Sequence, residues 1–134
     1  MTPLPTEPCV LVVDDEPGMR AVATLALRTA GFRVLAASSG EEALLMLLAE
    51  PAPVRVLVTD IVMPGMSGSE LAAQVVAVSP ETRVLYMSGY GPAMVRAPYV
   101  PGSRYLGKPF AVQELLHVVA ELAGLAAVPK PAAS

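Results

Sequence analysis

The sequence predicts an α/β domain in which five strands form one parallel sheet covered on both faces by helices. Three observations predict it. Short apolar runs rich in β-branched residues recur along the 134-residue chain, and continuous runs of this kind suit strands buried on both faces. Stretches of helical length separate them, and that alternation implies parallel pairing through right-handed crossovers. The runs also end on side chains that carry chemistry: Asp14-Asp15, Asp60, Ser88-Gly89 and Lys108-Pro109.

Length and composition bound what such a domain does. Hydrophobic residues make up 54% of the chain and charged residues 16%, so one sizeable core must form. No apolar stretch is long enough to span a bilayer, so no membrane partner is expected. A formal net charge of −3 argues against nucleic acid binding by this chain alone. Cys9 is the only cysteine, which excludes a disulfide framework and a thiolate metal cage and leaves it as a small buried apolar residue. A cytoplasmic location is the expectation.

Residues 1–8, with Pro3, Pro5 and Pro8, read as a flexible lead. Cys9 to Val13 forms the first strand. Pro17 opens a helix, where its missing N–H costs nothing. That helix runs to about Ala30, with Met19, Val22, Ala23, Leu25, Ala26 and Ala30 as apolar positions and Gly31 to end it. Phe32 to Ala37 is the second strand, and Ser39 with Glu42 makes a capping box for a helix ending near Glu50. Pro51 and Pro53 stop that helix before the central strand, Val54 to Asp60. Ser67 with Glu70 makes a second capping box, for a helix reaching Ser79.

Arg83 to Met87 is the fourth strand. The stretch from Tyr90 to Ser103 carries Pro92, Pro98 and Pro101, and an interior proline costs a helix ~3 kcal/mol. At most a short fourth helix, near Pro92 to Ala97, survives there. Tyr105 and Leu106 form a brief fifth strand. A last helix from about Val112 to Ala123 turns Leu115, Leu116, Val119 and Leu122 inward, and residues 126–134 form a flexible tail. Residues 9–125 are thus one domain, with flavodoxin-like strand order 2-1-3-4-5.

In that order the first and third strands are neighbours at the topological switch point, so Asp14, Asp15 and Asp60 converge in one crevice. Carboxylates this close repel unless a cation sits among them. Oxygen-only ligands on an open edge suit Mg²⁺, which takes one or two carboxylates and accepts phosphate oxygens. Asp15 and Asp60 are the direct ligands expected, with Asp14 acting through a water. The other parts suit phosphoryl transfer. Asp60 can attack as a nucleophile. Lys108 can pair with Asp60 and then with the incoming phosphoryl group. Ser88 supplies a hydroxyl donor, and Gly89 lets backbone N–H groups approach.

With these residues in place, the chain resembles the receiver domain of two-component response regulators. The matching pieces are V-V-D-D-E at Val12 to Glu16, D-I-V-M-P-G-M-S-G at Asp60 to Gly68, M-S-G-Y at Met87 to Tyr90 and K-P-F at Lys108 to Phe110. The last two pieces look most like the C-terminal receivers of hybrid sensor kinases. The resemblance implies that Asp60 is a phosphoacceptor, taking its phosphoryl group from a sensor histidine kinase or phosphotransfer protein and signalling to a protein partner. It implies that Asp14 and Asp15 are the acidic pair, with the backbone carbonyl of Val62 completing the metal site. Ser88 would be the switch hydroxyl, Tyr105 the aromatic that follows it, Lys108 the phosphate sensor and Pro109 a cis-proline. Such a module is no enzyme beyond its own phosphorylation and dephosphorylation.

Two features depart from the family's common form. The interval from Ser88 to Lys108 is short and proline-laden, and Tyr90, in the phosphate loop, is bulky. Its ring would either hinder hydrolytic water or lie on the surface loop. Other readings are blander. His117 is structural or exposed, Met63 and Met66 fill gaps, Glu16 favours the first helix N-terminus, and Arg20, Arg28 and Arg33 are scattered charges. Competing functions are a Mg²⁺-dependent phosphatase or phosphotransferase of haloacid type, and a degenerate receiver that only binds. The first needs D-x-D after the first strand, where this chain has adjacent acids. The second is opposed by the intact Asp14, Asp15, Asp60, Ser88 and Lys108 set.

Overall fold

A computed structural model describes residues 8–96 and 99–125. Its elements in chain order are β1 (Cys9–Val13), α1 (Pro17–Thr29), β2 (Arg33–Ala37), α2 (Gly40–Ala49), β3 (Val54–Asp60), α3 (Gly68–Val78), β4 (Arg83–Ser88), a 3-10 turn (Pro92–Met94), β5 (Arg104–Gly107) and α4 (Val112–Leu122). The strands form one parallel sheet in the order β2-β1-β3-β4-β5. That is the doubly wound arrangement expected from the alternation of runs.

Strand alternation sorts the core into two halves. Val10, Val12, Val56, Val58, Leu85, Met87 and Leu106 pack under α1 and α4. Cys9, Leu11, Val13, Leu57, Val84 and Tyr86 pack under α2 and α3 on the other face. β1 is buried throughout, as a central parallel strand must be. A register irregularity between β1 and β3 at Cys9 and Val10 breaks the alternation near Arg55. Val54 then joins the same half-core as Leu57, and the Arg55 guanidinium donates to the Ala123 carbonyl at the end of α4 (2.6 Å).

The helix ends follow local chemistry. Gly31 holds φ 101°, and the Phe32 N–H bonds back to the Leu27 carbonyl (3.0 Å), so a residue free to adopt positive φ ends α1 as expected. Ser67 and Glu70 make the full reciprocal box at α3. The expected box at α2 is half made: Ser39 Oγ accepts from Glu42 N, while the Glu42 carboxylate takes the Ser38 N–H instead. At α4 the Glu114 carboxylate accepts from Ala111 N (3.3 Å), the half of a capping box that needs no hydroxyl.

Some expectations change. In α1, Val22 and Leu25 face outward at 47% and 68% exposure, while Ala23, Thr24 and Leu27 are buried. The helix is apolar on several sides, so its phase is set by the fit of Ala23, Leu27 and Ala30 to the sheet, one turn apart. In α4, Leu115 and Val119 are fully buried as expected and Leu116 nearly so, but Val118 and Ala120 join them and Leu122 is only half-buried. Pro8 is tied to the edge of β2, its carbonyl accepting the Arg33 N–H (3.0 Å).

Among the described residues the fourth crossover holds only the 3-10 turn Pro92–Met94, and Ala97 lies outside them. The Arg96 N–H donates to the buried Ser69 hydroxyl (2.9 Å) and so fastens this segment to the start of α3. The rest of the expected lead, and the expected tail, also lie outside the described residues. No helix among the described residues is long and apolar enough to cross a membrane.

Candidate functional site

At the C-terminal edge of the sheet the chain ends its strands in one crevice. Asp14, Asp15 and Asp60 each offer a carboxylate oxygen, and these oxygens lie within 4.8 Å of one another. Asp14 is fully buried. Its Oδ1 accepts from Glu16 N (3.0 Å), and its Oδ2 accepts from Lys108 Nζ (3.0 Å). Asp15 is exposed, and among the described residues its carboxylate accepts no hydrogen bond.

Asp60 lies between the two in burial. Its Oδ1 accepts from Ile61 N (3.1 Å) and stands 3.5 Å from Lys108 Nζ. Burial pushes the Asp60 carboxyl above its ordinary pKa, and the charge of Asp14 adds to this; the Lys108 ammonium and the Ile61 N–H pull the other way. For Lys108 burial works against the charge, but the hydrogen bond to Asp14 and the two carboxylate charges outweigh it, and its pKa is raised.

The start of α3 packs closely against the strand end that carries Asp60. The Gly68 N–H donates to the Ile61 carbonyl (2.8 Å). A Cβ on Gly68 would stand 2.1 Å from the Asp60 carbonyl oxygen. Only glycine lets the helix approach the strand end this closely.

Ser88 is buried. Its Oγ accepts from Tyr90 N (2.9 Å), and its carbonyl accepts both from Lys108 N (2.9 Å) and from the Tyr105 hydroxyl (2.8 Å). The Lys108-Pro109 peptide is cis. Tyr90 is 76% exposed, so its ring packs on little. A Cβ on Gly89 would meet nothing within 4 Å, so close packing does not dictate glycine there. Val62 is exposed in the loop after Asp60, and among the described residues no donor takes its carbonyl oxygen. His117 is exposed on α4, 3.1 Å from Glu121 and remote in sequence from every site residue.

The structure thus brings Asp14, Asp15, Asp60 and Lys108 together and sets Ser88 and Tyr105 on the same strand ends. Two residues gain parts that the sequence reading did not give them. Gly68 was visible only as the end of a motif. Arg20, expected as a scattered charge, donates from Nη1 to the Asp14 carbonyl (2.8 Å), a backbone target that no residue type announces in the sequence.

The protein is thus a doubly wound α/β domain whose acidic crevice, reached by Lys108 Nζ from the end of β5, lies at the switch point where such sheets bind ligands. Residues 10–120 match the response regulator receiver domain family, and the chain belongs to that family. It is 34% identical over 115 residues to the sensor kinase CckA of Brucella abortus, covering 84% of this chain and 12% of the kinase. It is 30% identical over 117 residues to the response regulator receiver protein CpdR of the same organism, covering 84% of this chain and 94% of CpdR. The chain therefore spans a small part of one curated relative and nearly all of another. Among solved structures, a response regulator receiver protein from Sinorhizobium medicae superposes with TM-score 0.80 at 31% identity, covering 88% of this chain and 95% of that one. The receiver domain of the hybrid histidine kinase CckA superposes with TM-score 0.70 at 29% identity, covering 86% and 98%.

Proposed function

We propose that residues 9–125 act as a phosphoacceptor module in the cytoplasm, with Asp60 taking a phosphoryl group from the phosphohistidine of a sensor histidine kinase or phosphotransfer protein. The observation that carries this reading is the seat of Lys108, 3.0 Å from Asp14 and 3.5 Å from Asp60. A carboxylate oxygen of Asp60 forms the new O–P bond as the N–P bond to the imidazole breaks, and the imidazole nitrogen keeps the bonding pair. Ionised Asp60 is the form that attacks, so no general base is required.

Three carboxylates against one ammonium leave an excess of negative charge in an oxygen-only donor set, which fits Mg²⁺. Asp15 and Asp60 would bind it directly, Asp14 through a water, and the Val62 carbonyl would complete the set. When bound, the ion neutralises charge on the phosphoryl oxygens. Lys108 offers its ammonium to the new acyl phosphate, leaving Asp14 in part. Ser88 can turn its hydroxyl from the Tyr90 N–H towards a phosphoryl oxygen. Tyr105, bonded to the Ser88 carbonyl, senses that change, which makes a two-state element biased by a local charge event. The signal passes to a protein partner.

The test is intact mass after incubation with Mg²⁺ and acetyl phosphate, on wild type and Asp60→Asn. One added phosphoryl group that needs Mg²⁺ and is absent from the variant is the expected result. Release of phosphate in excess over protein would favour an enzyme instead.

A further inference from the structure

Arg20 reaches from α1 to one atom of the acidic loop, and that atom has a particular place in the chain. The Asp14 carbonyl belongs to the peptide unit that joins Asp14 to Asp15. Arg20 Nη1 donates to it at 2.8 Å. Among the described residues Arg20 forms no ion pair with a carboxylate, so this carbonyl is its hydrogen-bonding target there. The peptide unit is planar and stiff, so fixing the direction of its carbonyl fixes the plane from which the Asp15 Cα departs.

The two acids differ in their need for such help. Asp14 is buried, with its carboxylate tied to Glu16 N and Lys108. Asp15 is exposed, and among the described residues nothing bonds its carboxylate. Its aim therefore rests on the backbone that carries it. We propose that Arg20 is a positioning residue for divalent-cation binding: by holding the Asp14 carbonyl it sets the orientation of Asp15 towards Asp60. The inference rests on the receiver reading given above, and extends it to a residue outside the acidic set.

The sign of the effect separates positioning from charge. A guanidinium beside an anionic crevice repels a cation, so removing it would by charge alone tighten Mg²⁺ binding. Loss of a group that orients a ligand weakens binding instead, typically by about tenfold or more.

Mg²⁺ titrations by calorimetry on the 134-residue wild type, Arg20→Met and Arg20→Lys decide the matter, each with its Tm and the Mg²⁺ dependence of labelling by acetyl phosphate. We expect Arg20→Met to weaken Mg²⁺ binding about tenfold. Its Tm stays close to that of wild type, and its labelling rate recovers at saturating Mg²⁺. Arg20→Lys, which keeps the charge and one reaching donor, falls between the two. If Arg20→Met does not fold, weakened binding in Arg20→Lys carries the inference and unchanged binding there overturns it. Unchanged or tighter binding in a folded Arg20→Met overturns it while leaving the receiver reading intact. Wild type that neither binds Mg²⁺ nor is labelled overturns both.

Discussion

Lys108 Nζ lies closer to the buried Asp14 (3.0 Å) than to the phosphoacceptor candidate Asp60 (3.5 Å). The lysine is thus tied chiefly to Asp14 rather than to Asp60, and can shift along the crevice without leaving a carboxylate wholly unpaired. Removing it strands the buried Asp14 carboxylate and leaves the part-buried Asp60 carboxylate beside it, at a site where Lys108 itself reaches solvent. Lys108→Met should cost about 2 kcal/mol at pH 7, less than the 3–5 kcal/mol typical of fully buried pairs. Urea denaturation with and without Mg²⁺ checks this, and the cation should recover much of the loss. In wild type the raised Lys108 pKa contributes stability that is fully present below pH 10.5 and lost as pH rises through the folded value.

Asp60→Asn tests the opposite case. The folded pKa of Asp60 lies above the ordinary 3.8, chiefly through burial, so the folded state holds this proton more tightly than the unfolded chain does. Stability from this group is greatest below 3.8 and falls as pH rises through the folded pKa. At neutral pH the ionised carboxylate is a net cost. The neutral, similarly shaped amide should therefore raise Tm at pH 7 in the absence of Mg²⁺, by about 4 °C if the gain is ~1 kcal/mol. The advantage over wild type should shrink as pH falls from the folded pKa towards 3.8 and vanish below 3.8. Thermal melts across pH measure it.

Much of this site was legible because its chemistry sits where apolar runs stop. Asp14, Asp60, Ser88 and Lys108 each follow or close a run that reads as a buried strand, and strand order does the rest. The phase of α1 was not legible. With Val22, Ala23, Leu25, Ala26 and Leu27 all apolar, the sequence offers several faces, and packing on the sheet selects one. Arg20 was missed for a different reason: its target is a backbone carbonyl, which leaves no complementary residue to look for. The proline content of the fourth crossover limits it to less than a full helix, and among the described residues a single 3-10 turn stands there.

Tyr105 and Lys108 share the Ser88 carbonyl as acceptor, one through its hydroxyl and one through its backbone N–H. Tyr105→Phe removes one donor and leaves the carbonyl satisfied by the other. Its cost in stability should be about 0.5–1 kcal/mol, at the low end for a lost hydrogen bond. The labelling rate with acetyl phosphate should change little, because Tyr105 bonds no atom of Asp60. What should change is the difference between the unlabelled and beryllofluoride-bound states, read as amide chemical shifts around Ser88 and Gly107.

Two glycines near the site make a matched pair for a last prediction. A Cβ at Gly68 would lie 2.1 Å from the Asp60 carbonyl oxygen and 2.9 Å from the Ile61 Cα. Both are backbone atoms, so neither can swing aside, and either α3 or the end of β3 must move. A Cβ at Gly89 meets nothing within 4 Å. Gly68→Ala should therefore destabilise the domain by roughly 3 kcal/mol, the upper range for overpacking, and Gly89→Ala should stay within about 0.5 kcal/mol of wild type. Function sharpens the contrast. The Gly68 N–H also anchors the Ile61 carbonyl, and Ile61 N bonds the Asp60 carboxylate. Displacing α3 therefore displaces Asp60, the proposed phosphoacceptor. Even under conditions where Gly68→Ala is fully folded, its labelling by acetyl phosphate should fall at least about tenfold, since small misplacements of a reacting group are costly. Equal labelling rates in the two variants would show that α3 does not set the position of Asp60.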